Sequence, residues 1–302
     1  MRSHRLIRRS MAVCLALLVA YSFAIAKGIP GWANRPESQW GQNIAAAEQV
    51  IFAEDCPPIV LVGSSLLGRV PAQEIGEGSF NLSFAAMSAV EGLRVLHRSG
   101  QVPGLILVEV NMLFLPEDKE FSDSLFRPGL HSIHHVMPAL RETYRPLNNL
   151  ARLSFEAARR LSGKAPRGSV DESSVSNSPT GPHRAVLFEA MLRRELAKHA
   201  SIPSLQVRSH LRATLRTLLG DLVARGAKIL LVELPVDHRV SATPYYSGLR
   251  IFLDEALADL KLLRLPMSSE HDYETTDGVH MTPSDARRFA SEVRKQMTAL
   301  GY

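Results

Sequence analysis

One serine and one aspartate–histidine pair are the residues whose types and spacing could carry chemistry. Ser65 follows the apolar run Ile59–Val62 and Gly63, and Asp277 and His280 lie three residues apart near the C-terminal end. A serine hydroxyl attacks an ester when a histidine accepts its proton, and that histidine needs a carboxylate to hold its tautomer. If the fold brings them together, the three side chains form a nucleophile, a base and an orienting acid.

Each segment also has a simpler interpretation when it is taken alone. A serine that follows a strand is explained equally well as the N-cap of a helix, and histidines are common on protein surfaces. Asp272 and Glu274 compete with Asp277 as the partner of His280, although neither has the same three-residue spacing. The chemical interpretation therefore depends on the elements that position these residues.

Apolar and amphipathic segments alternate along the chain and indicate an α/β protein. Short apolar runs rich in β-branched residues predict strands at 59–62, 80–83, 105–110, 228–234 and 262–265. Amphipathic patterns predict helices at 43–53, 85–99, 206–225, 247–260 and 283–299. Strands that alternate with helices pair in parallel and are covered on both faces. We therefore expect a three-layer, flavodoxin-like sandwich with a central parallel sheet.

Polar residues follow the carboxyl ends of several predicted strands, where parallel sheets bind their ligands. Asn111 and the segment Glu233–Asp237 come directly after two strands, as Ser65 does after the first. Thr282 is a suitable N-cap for the closing helix, and Pro283 suits its first position. The aspartate–histidine pair is therefore expected in the loop that precedes this helix.

The N-terminal segment predicts export from the cytoplasm. Four arginines in the first ten residues precede an uncharged apolar stretch, Met11–Ala26. This form is typical of a signal peptide, and Ala24–Ala26 supplies a small-x-small cleavage pattern. The stretch is slightly short for a spanning helix, but residues 1–27 could also be an uncleaved membrane anchor, and a buried N-terminal helix is the third alternative. The positive-inside rule places the body, residues 28–302, in the periplasm or another extracytoplasmic space.

The body is predicted to be one domain with an insertion at about 112–205. Residues 28–45 are rich in Gly, Pro, Trp and Asn and predict a tether. Within the insertion, Gly163–Arg184 predicts a flexible loop because it is rich in Ser, Pro and Gly without periodicity. The flanks of this loop, at 137–161 and 184–199, have helical patterns.

Composition narrows the range of partners and cofactors. The chain has 35 basic and 30 acidic residues, and four of the basic residues lie in the first ten positions, so the rest of the chain is nearly neutral. A dedicated nucleic-acid-binding surface is therefore not expected. Cys56 is alone in the body, which excludes an intrachain disulfide there and a thiol metal site. His131, His134 and His135 cluster without a carboxylate or cysteine pattern, so no metal or cofactor is expected.

Taken together and in this order, the two chemical segments resemble the SGNH family of hydrolases, also called GDSL-like. That family has a Gly-Asp-Ser motif after its first strand and an Asp-x-x-His motif before its last helix. Ser65, Asp277 and His280 occupy the corresponding positions here, and the resemblance implies that they form a catalytic triad. It covers about residues 58–115 and 226–299 and excludes the insertion.

The resemblance also implies an oxyanion hole. Its donors would be the N–H groups of Ser65 and Ser83 and the side chain of Asn111. The chain departs from the family pattern at three places: Ser64 replaces the aspartate of Gly-Asp-Ser, Ser83 replaces a glycine, and Asn111 lacks the usual following aspartate. These departures resemble divergent, membrane-anchored bacterial envelope members, some of which are O-acetyltransferases of exported polysaccharides.

The function that the resemblance implies is a serine-dependent esterase or O-acyltransferase acting on an acyl or acetyl ester in the cell envelope. Its substrate would be an acyl ester or a glycan, for which an exported polysaccharide is a candidate. Water as the acceptor gives hydrolysis and a sugar hydroxyl gives transfer, and the sequence leaves both open. The alternative is a catalytically inactive envelope protein that keeps the fold to bind a glycan or an assembly partner, with Ser65 acting only as an N-cap.

Overall fold

The structure, a computed structural model, describes residues 2–27, 36, 38–145, 182–260, 262–265 and 273–302. The chain forms two compact units. One consists of Met1–Glu48 and Asp123–Asn177, and the other of Gln49–Ser122 and Ser178–Tyr302. The expected insertion at 112–205 is thus divided between the two units, whereas all the predicted strands belong to the second.

Five parallel strands form the sheet of the second unit, in the spatial order β2-β1-β3-β4-β5. They are β1 (Ile59–Val62), β2 (Phe80–Asn81), β3 (Leu105–Glu109), β4 (Lys228–Val232) and β5 (Leu263–Arg264). Val62 pairs with Val108, and Glu109 pairs with Val232, so the three central strands end at nearly the same level. Side chains that follow these strands therefore share one edge of the sheet.

Twelve α-helices lie in the described parts of the chain, and their labels follow chain order. They are α1 (Arg2–Ala26), α2 (Gln39–Ile51), α3 (Ser65–Gly68), α4 (Ala72–Ile75), α5 (Ala89–Ser99), α6 (Lys119–Leu125), α7 (Pro128–Val136), α8 (Pro182–Lys198), α9 (Leu205–Ala224), α10 (His238–Ser241), α11 (Pro244–Ala256) and α12 (Pro283–Ala299). Short 3-10 helices span Pro138–Leu140, Glu142–Tyr144 and Ala258–Leu260.

Helices pack in two groups in the second unit. Helix α5 packs against α9, which also contacts α11, whereas α12 packs against α4. Because crossovers between parallel strands are right-handed, the strand order puts α5, α9 and α11 on one face of the sheet and α4 on the other. The central strands β1 and β3 are almost fully buried, as expected for a sheet that is covered on both sides. The arrangement is compatible with three layers.

Local signals in the sequence account for the helix ends next to the site. Ser88 and Glu91 form a capping box at the start of α5, and Gly100 ends that helix with a left-handed backbone. At α12, the Thr282 side chain accepts a hydrogen bond from the Asp285 N–H, and Pro283 occupies the first turn. The segment before α12 is therefore held close to the sheet at a defined place.

The predicted α/β class and the five strand positions are confirmed, with β2 and β5 shorter than the patterns indicated.

Two expectations were wrong in part. The tether predicted for 28–45 ends early, because α2 begins at Gln39 and buries an apolar face that includes Ala47 and Val50. The helix predicted for 137–161 is replaced at 138–144 by 3-10 turns, and the flexible loop predicted for Gly163–Arg184 lies almost wholly outside the described residues.

Helix α1 dominates the N-terminal part of the first unit. The segment His4–Ile25 is long and apolar enough to cross a membrane. No other helix among the described residues meets both criteria. The Tyr21 hydroxyl donates a hydrogen bond to the carbonyl oxygen of Tyr144, 2.5 Å away. The C-terminal end of α1 therefore packs on the turns that follow α7, and it is suited to be either an anchor or a signal sequence.

Candidate active site

Ser65 is the first residue of α3, at the point where the chain leaves β1. Ser64 caps this short helix, because its extended backbone places its Oγ 3.1 Å from the Leu66 N–H. Ser65 is partly exposed, whereas its neighbours Ser64 and Leu66 are buried. As the first residue of the helix, Ser65 has an N–H without an intrahelical acceptor, and no acceptor for it exists among the described residues.

Gly63 allows the turn before Ser65 to pass close to the neighbouring strand. A Cβ atom at this position would lie 2.5 Å from Oε2 of Glu109 and 2.8 Å from its Cβ. Since such distances are far inside van der Waals contact, only glycine fits between β1 and the end of β3. The Gly-Ser-Ser sequence is thus required by packing as well as by the turn.

The Asp277–His280 loop is a tight structure with its own hydrogen bonds. Thr275 and Met281 form an antiparallel bridge, and the Thr276 N–H donates to the His280 carbonyl oxygen at 2.8 Å. Gly278 at its tip has a φ of +98°, which favours glycine. The Asp237 N–H donates to the Gly278 carbonyl oxygen at 2.8 Å and links the tip to the segment after β4.

The structure brings the three predicted triad residues into one chain of hydrogen bonds. Ser65 Oγ lies 2.9 Å from Nε2 of His280, and Nδ1 of His280 lies 2.7 Å from Oδ2 of Asp277. The other carboxylate oxygen of Asp277 accepts the backbone N–H groups of His280 at 2.8 Å and Val279 at 3.1 Å. Serine, histidine and aspartate come from segments more than 200 residues apart and meet at the same sheet edge.

The electrostatics of the loop keep Asp277 ionised. Burial by itself would raise the pKa of this carboxyl, but hydrogen bonds from the His280 ring and backbone, together with the His280 charge, outweigh burial and lower the pKa to about 2. The ionised carboxylate accepts a hydrogen bond from the Nδ1–H group, which leaves the lone pair of Nε2 directed at Ser65. The arrangement can therefore take the hydroxyl proton of Ser65.

Ser83 lies beside α3 but its N–H is already engaged. The Asn81 side chain accepts this N–H at 3.1 Å and donates to the carbonyl oxygens of Leu67 at 2.9 Å and Val70 at 3.0 Å. The Ser83 hydroxyl, in contrast, is buried and has no hydrogen-bond partner in the described part of the chain. Its Cβ lies close to Gly68 of α3, so this hydroxyl is a donor that sequence reasoning overlooked.

The contacts of Asn111 do not suit the expected oxyanion role. Its side chain is fully buried, its Nδ2 donates to the Leu234 carbonyl oxygen at 2.9 Å, and its Oδ1 accepts the Leu234 N–H at 2.6 Å. A further contact at 3.4 Å joins Nδ2 to the Tyr246 hydroxyl. Because both N–H groups of the amide have acceptors inside the fold, Asn111 joins the ends of β3 and β4 rather than facing a ligand.

Glu109 is the site residue that sequence reasoning did not single out. It ends β3, is 1% exposed, and hydrogen-bonds to the backbone and hydroxyl of Ser64. Burial raises the pKa of this carboxyl, and the hydrogen bonds from Ser64 and Leu67 act in the opposite direction. One sequence signal could have identified Glu109: it is a glutamate at the end of an otherwise apolar strand, which pairs with the strand that precedes Ser65.

The other residues weighed from the sequence have structural partners. Glu274 donates its backbone N–H to Asp285, and Asp272 lies outside the described residues. Asp237 caps α10 and pairs with Arg239, which holds the pKa of Asp237 below its usual value despite burial. The described residues contain no group of three or more metal-ligating side chains.

Of the clustered histidines, His134 has a defined partner in the first unit. Its Nδ1 lies 2.9 Å from a carboxylate oxygen of Glu48, whose pKa burial raises to about 7. The other Glu48 oxygen accepts the Glu142 N–H at 2.7 Å. These contacts tie α7 and the following turns to α2 and give the cluster a packing role.

Comparisons with models of known protein families, with curated proteins and with solved structures found no match for this chain. Its function must therefore be inferred from the geometry of the site.

Proposed function

We propose that this protein is a serine-dependent esterase or O-acyltransferase that uses Ser65, His280 and Asp277. The observation that carries the proposal is the unbroken series of hydrogen bonds from the Ser65 hydroxyl through the His280 ring to the ionised Asp277. A partly exposed serine linked in this way to a histidine and a carboxylate is the arrangement of an activated nucleophile.

The proposed reaction has two halves. Ser65 attacks the carbonyl carbon of an acyl ester while His280 Nε2 takes its proton, and the resulting imidazolium gives that proton to the departing alcohol. The acyl group is then bonded to Ser65 Oγ. In the second half, His280 takes a proton from water or from a sugar hydroxyl, whose oxygen attacks the acyl carbon. The imidazolium returns this proton to Ser65 Oγ as the bond between Oγ and the acyl carbon breaks. Asp277 balances the positive charge on His280 in both halves.

The N–H of Ser65 and the hydroxyl of Ser83 are the proposed donors to the oxyanion. The first N–H belongs to the nucleophile itself and the Ser83 hydroxyl lies beside α3, and neither group has an acceptor among the described residues. They take the place of the N–H of Ser83 and the amide of Asn111, which have acceptors in the fold. Donors of this kind stabilise the charge that develops on the carbonyl oxygen.

The fold supports the same proposal at a finer level. The strand order β2-β1-β3-β4-β5 is that of flavodoxin-like sheets, and the candidate nucleophile follows β1 while the histidine precedes the last helix. We assign the second unit on this basis to a three-layer, SGNH-like sandwich, and the substrate to an acyl or acetyl ester of the cell envelope, with an exported polysaccharide as the candidate.

Labelling with a fluorophosphonate probe tests the proposed nucleophile. We expect wild-type protein to be labelled at Ser65 and Ser65→Ala to lose the label, because the probe reacts only with an activated serine hydroxyl. Ser204→Ala is the matched control, since Ser204 also caps a helix but belongs to the start of α9. Mass spectrometry of the labelled peptide identifies the site, and equal labelling of wild type and Ser65→Ala would contradict the assignment.

A second function, binding of a glycan or an assembly partner without turnover, is favoured by one observation. Two of the three donors that the resemblance implied, the Ser83 N–H and the Asn111 amide, are engaged within the fold. In this case Ser65 is only the first residue of a capped helix. Folded wild-type protein that no serine-directed probe labels, but that is retained by an immobilised envelope polysaccharide, would support this function.

We further propose that α1 is kept as a membrane anchor, with the body on the extracytoplasmic side. The contact between Tyr21 and Tyr144 joins the end of α1 to the folded part of the first unit, and a cleaved signal would forgo this packing. The arginines before the apolar stretch place the N-terminus in the cytoplasm.

The protein expressed with its own N-terminus is expected to stay in the membrane fraction after an alkaline carbonate wash. Its intact mass should include the first 26 residues, and a C-terminal alkaline phosphatase fusion should be active because the body is exported. A variant that begins at Lys27 behind a cleavable signal is the control and should be released in soluble form. A wild-type product that begins near Lys27 would show instead that α1 is a cleaved signal.

A further inference from the structure

A buried carboxylate lies directly beneath the turn that carries Ser65. Oε2 of Glu109 accepts the Ser64 N–H at 2.6 Å and the Leu67 N–H at 3.4 Å, and the Ser64 hydroxyl lies 2.9 Å from each carboxylate oxygen. All of these donors come from the residues that flank Ser65 in the chain. Glu109 itself is at the end of β3, 1% exposed.

The placement of this charge needs an explanation because burial of a carboxylate is costly. An ionised group that leaves water must regain its lost hydration through hydrogen bonds, and Glu109 regains it from the backbone and hydroxyl groups of α3 and its cap. A neutral or apolar side chain would fill the same space without that cost. The turn is thus held from below by a carboxylate, while the Ser65 N–H and hydroxyl remain on the site side.

We propose that Glu109 is a positioning residue for the nucleophile, which fixes the Ser64–Leu67 turn so that Ser65 faces His280. The proposal rests on the function proposed above. It also accounts for Ser64, which stands where the resembled family has an aspartate: the carboxylate near the nucleophile comes from the adjacent strand, and Ser64 connects it to the cap of α3.

Glu109→Gln tests the hydrogen bonds to the turn, because it keeps the shape of the side chain but replaces one acceptor oxygen with an NH2 group. The rate constant of fluorophosphonate labelling at Ser65 should fall about tenfold or more, since a small displacement of the nucleophile costs a large factor. The loss should lie in the maximal labelling rate and not in the probe concentration that gives half of that rate, because Glu109 lies beneath the turn and does not contact the probe.

Glu91→Gln is the matched control. Glu91 is equally buried and accepts the N–H and hydroxyl of Ser88 and the N–H of Asp118, but it does so at the start of α5. Its variant should keep most of the labelling rate. Equal losses in the two variants, or a Glu109→Gln protein that is labelled like wild type, would overturn the proposal while the function proposed for Ser65 stands.

Ser64→Ala keeps the inference testable if Glu109→Gln does not fold. This variant removes the hydroxyl between Glu109 and the Leu66 N–H but leaves the Glu109 side chain in place, so labelling should slow. Labelling at the wild-type rate would overturn the proposed role of Glu109 in fixing the Ser64–Leu67 turn. Folded wild-type protein without any labelling at Ser65 is a different outcome, which would overturn the proposed function and this inference together.

Discussion

Replacement of His280 by alanine is expected to lower the rate of acyl transfer by about four orders of magnitude or more. The side chain is the only base within hydrogen-bond distance of Ser65 Oγ among the described residues, at 2.9 Å. Without it the hydroxyl remains protonated at neutral pH and is a weak nucleophile. The measurement is the hydrolysis of an activated acetyl ester by purified protein, with circular dichroism to show that the fold is kept.

Asp277→Asn should lose much of the same activity, and the two losses should not add. The asparagine keeps the size of the side chain, but it cannot balance the charge on His280 and it favours the wrong tautomer. The double variant is therefore expected to be about as active as His280→Ala alone, because both residues act in one proton transfer. Since the pKa of Asp277 is lowered to about 2, its carboxylate stays ionised at the neutral pH of the assay.

The controls for this prediction are a histidine and a carboxylate outside the hydrogen-bonded series. His238→Ala removes an exposed imidazole next to Asp237. Glu274→Gln removes the carboxylate of a residue whose backbone N–H, rather than its side chain, bonds to Asp285 in the first turn of α12. Both should retain activity within about twofold. Full activity in Asp277→Asn together with loss in Asp272→Asn would mean that the orienting acid lies five residues earlier.

The sequence predicted those parts of the fold that depend on local patterns. The strands β1, β3 and β4 were predictable because each is an apolar run bounded by residues that stop a strand, such as Gly63 and Pro235. The start of α12 was predictable from Thr282 and Pro283, whose capping role needs no tertiary information. Together these two kinds of signal placed Ser65 directly after the first strand and the Asp277–His280 pair in the loop before the last helix.

Interactions between distant segments could not be read from the sequence. The Ser64–Glu109 hydrogen bonds join residues 45 positions apart, and the direction of each side chain depends on how β1 and β3 pair. Asn111 was expected to face a ligand because it follows a strand, yet its amide finds better partners in the Leu234 backbone. A polar side chain at a sheet edge can either form hydrogen bonds within the fold or face a ligand. Which of the two it does depends on the three-dimensional packing around it.

Gly278→Ala is expected to destabilise the protein by about 1–3 kcal/mol and to lower the rate by about a hundredfold. The φ of +98° at Gly278 strains any residue with a Cβ, and an added Cβ would lie 2.6 Å from Cδ1 of Leu192 on α8. Leu192 is buried against the loop tip and must move. Because Gly278 lies between Asp277 and His280, relief of the strain displaces both partners of the proton transfer.

Gly226→Ala separates the effect on the site from the effect of backbone strain. Gly226 has the same φ of +98°, with no atom within 4 Å of an added Cβ, and it joins α9 to β4 away from the loop. Thermal denaturation should show a loss of stability in both variants, about 2–4 °C in Tm for each kcal/mol in a domain of this size. Ester hydrolysis should fall only in Gly278→Ala. Comparable activity in the two variants would show that the Asp277–His280 loop tolerates the change. In that case Gly278 does not determine the conformation of the loop.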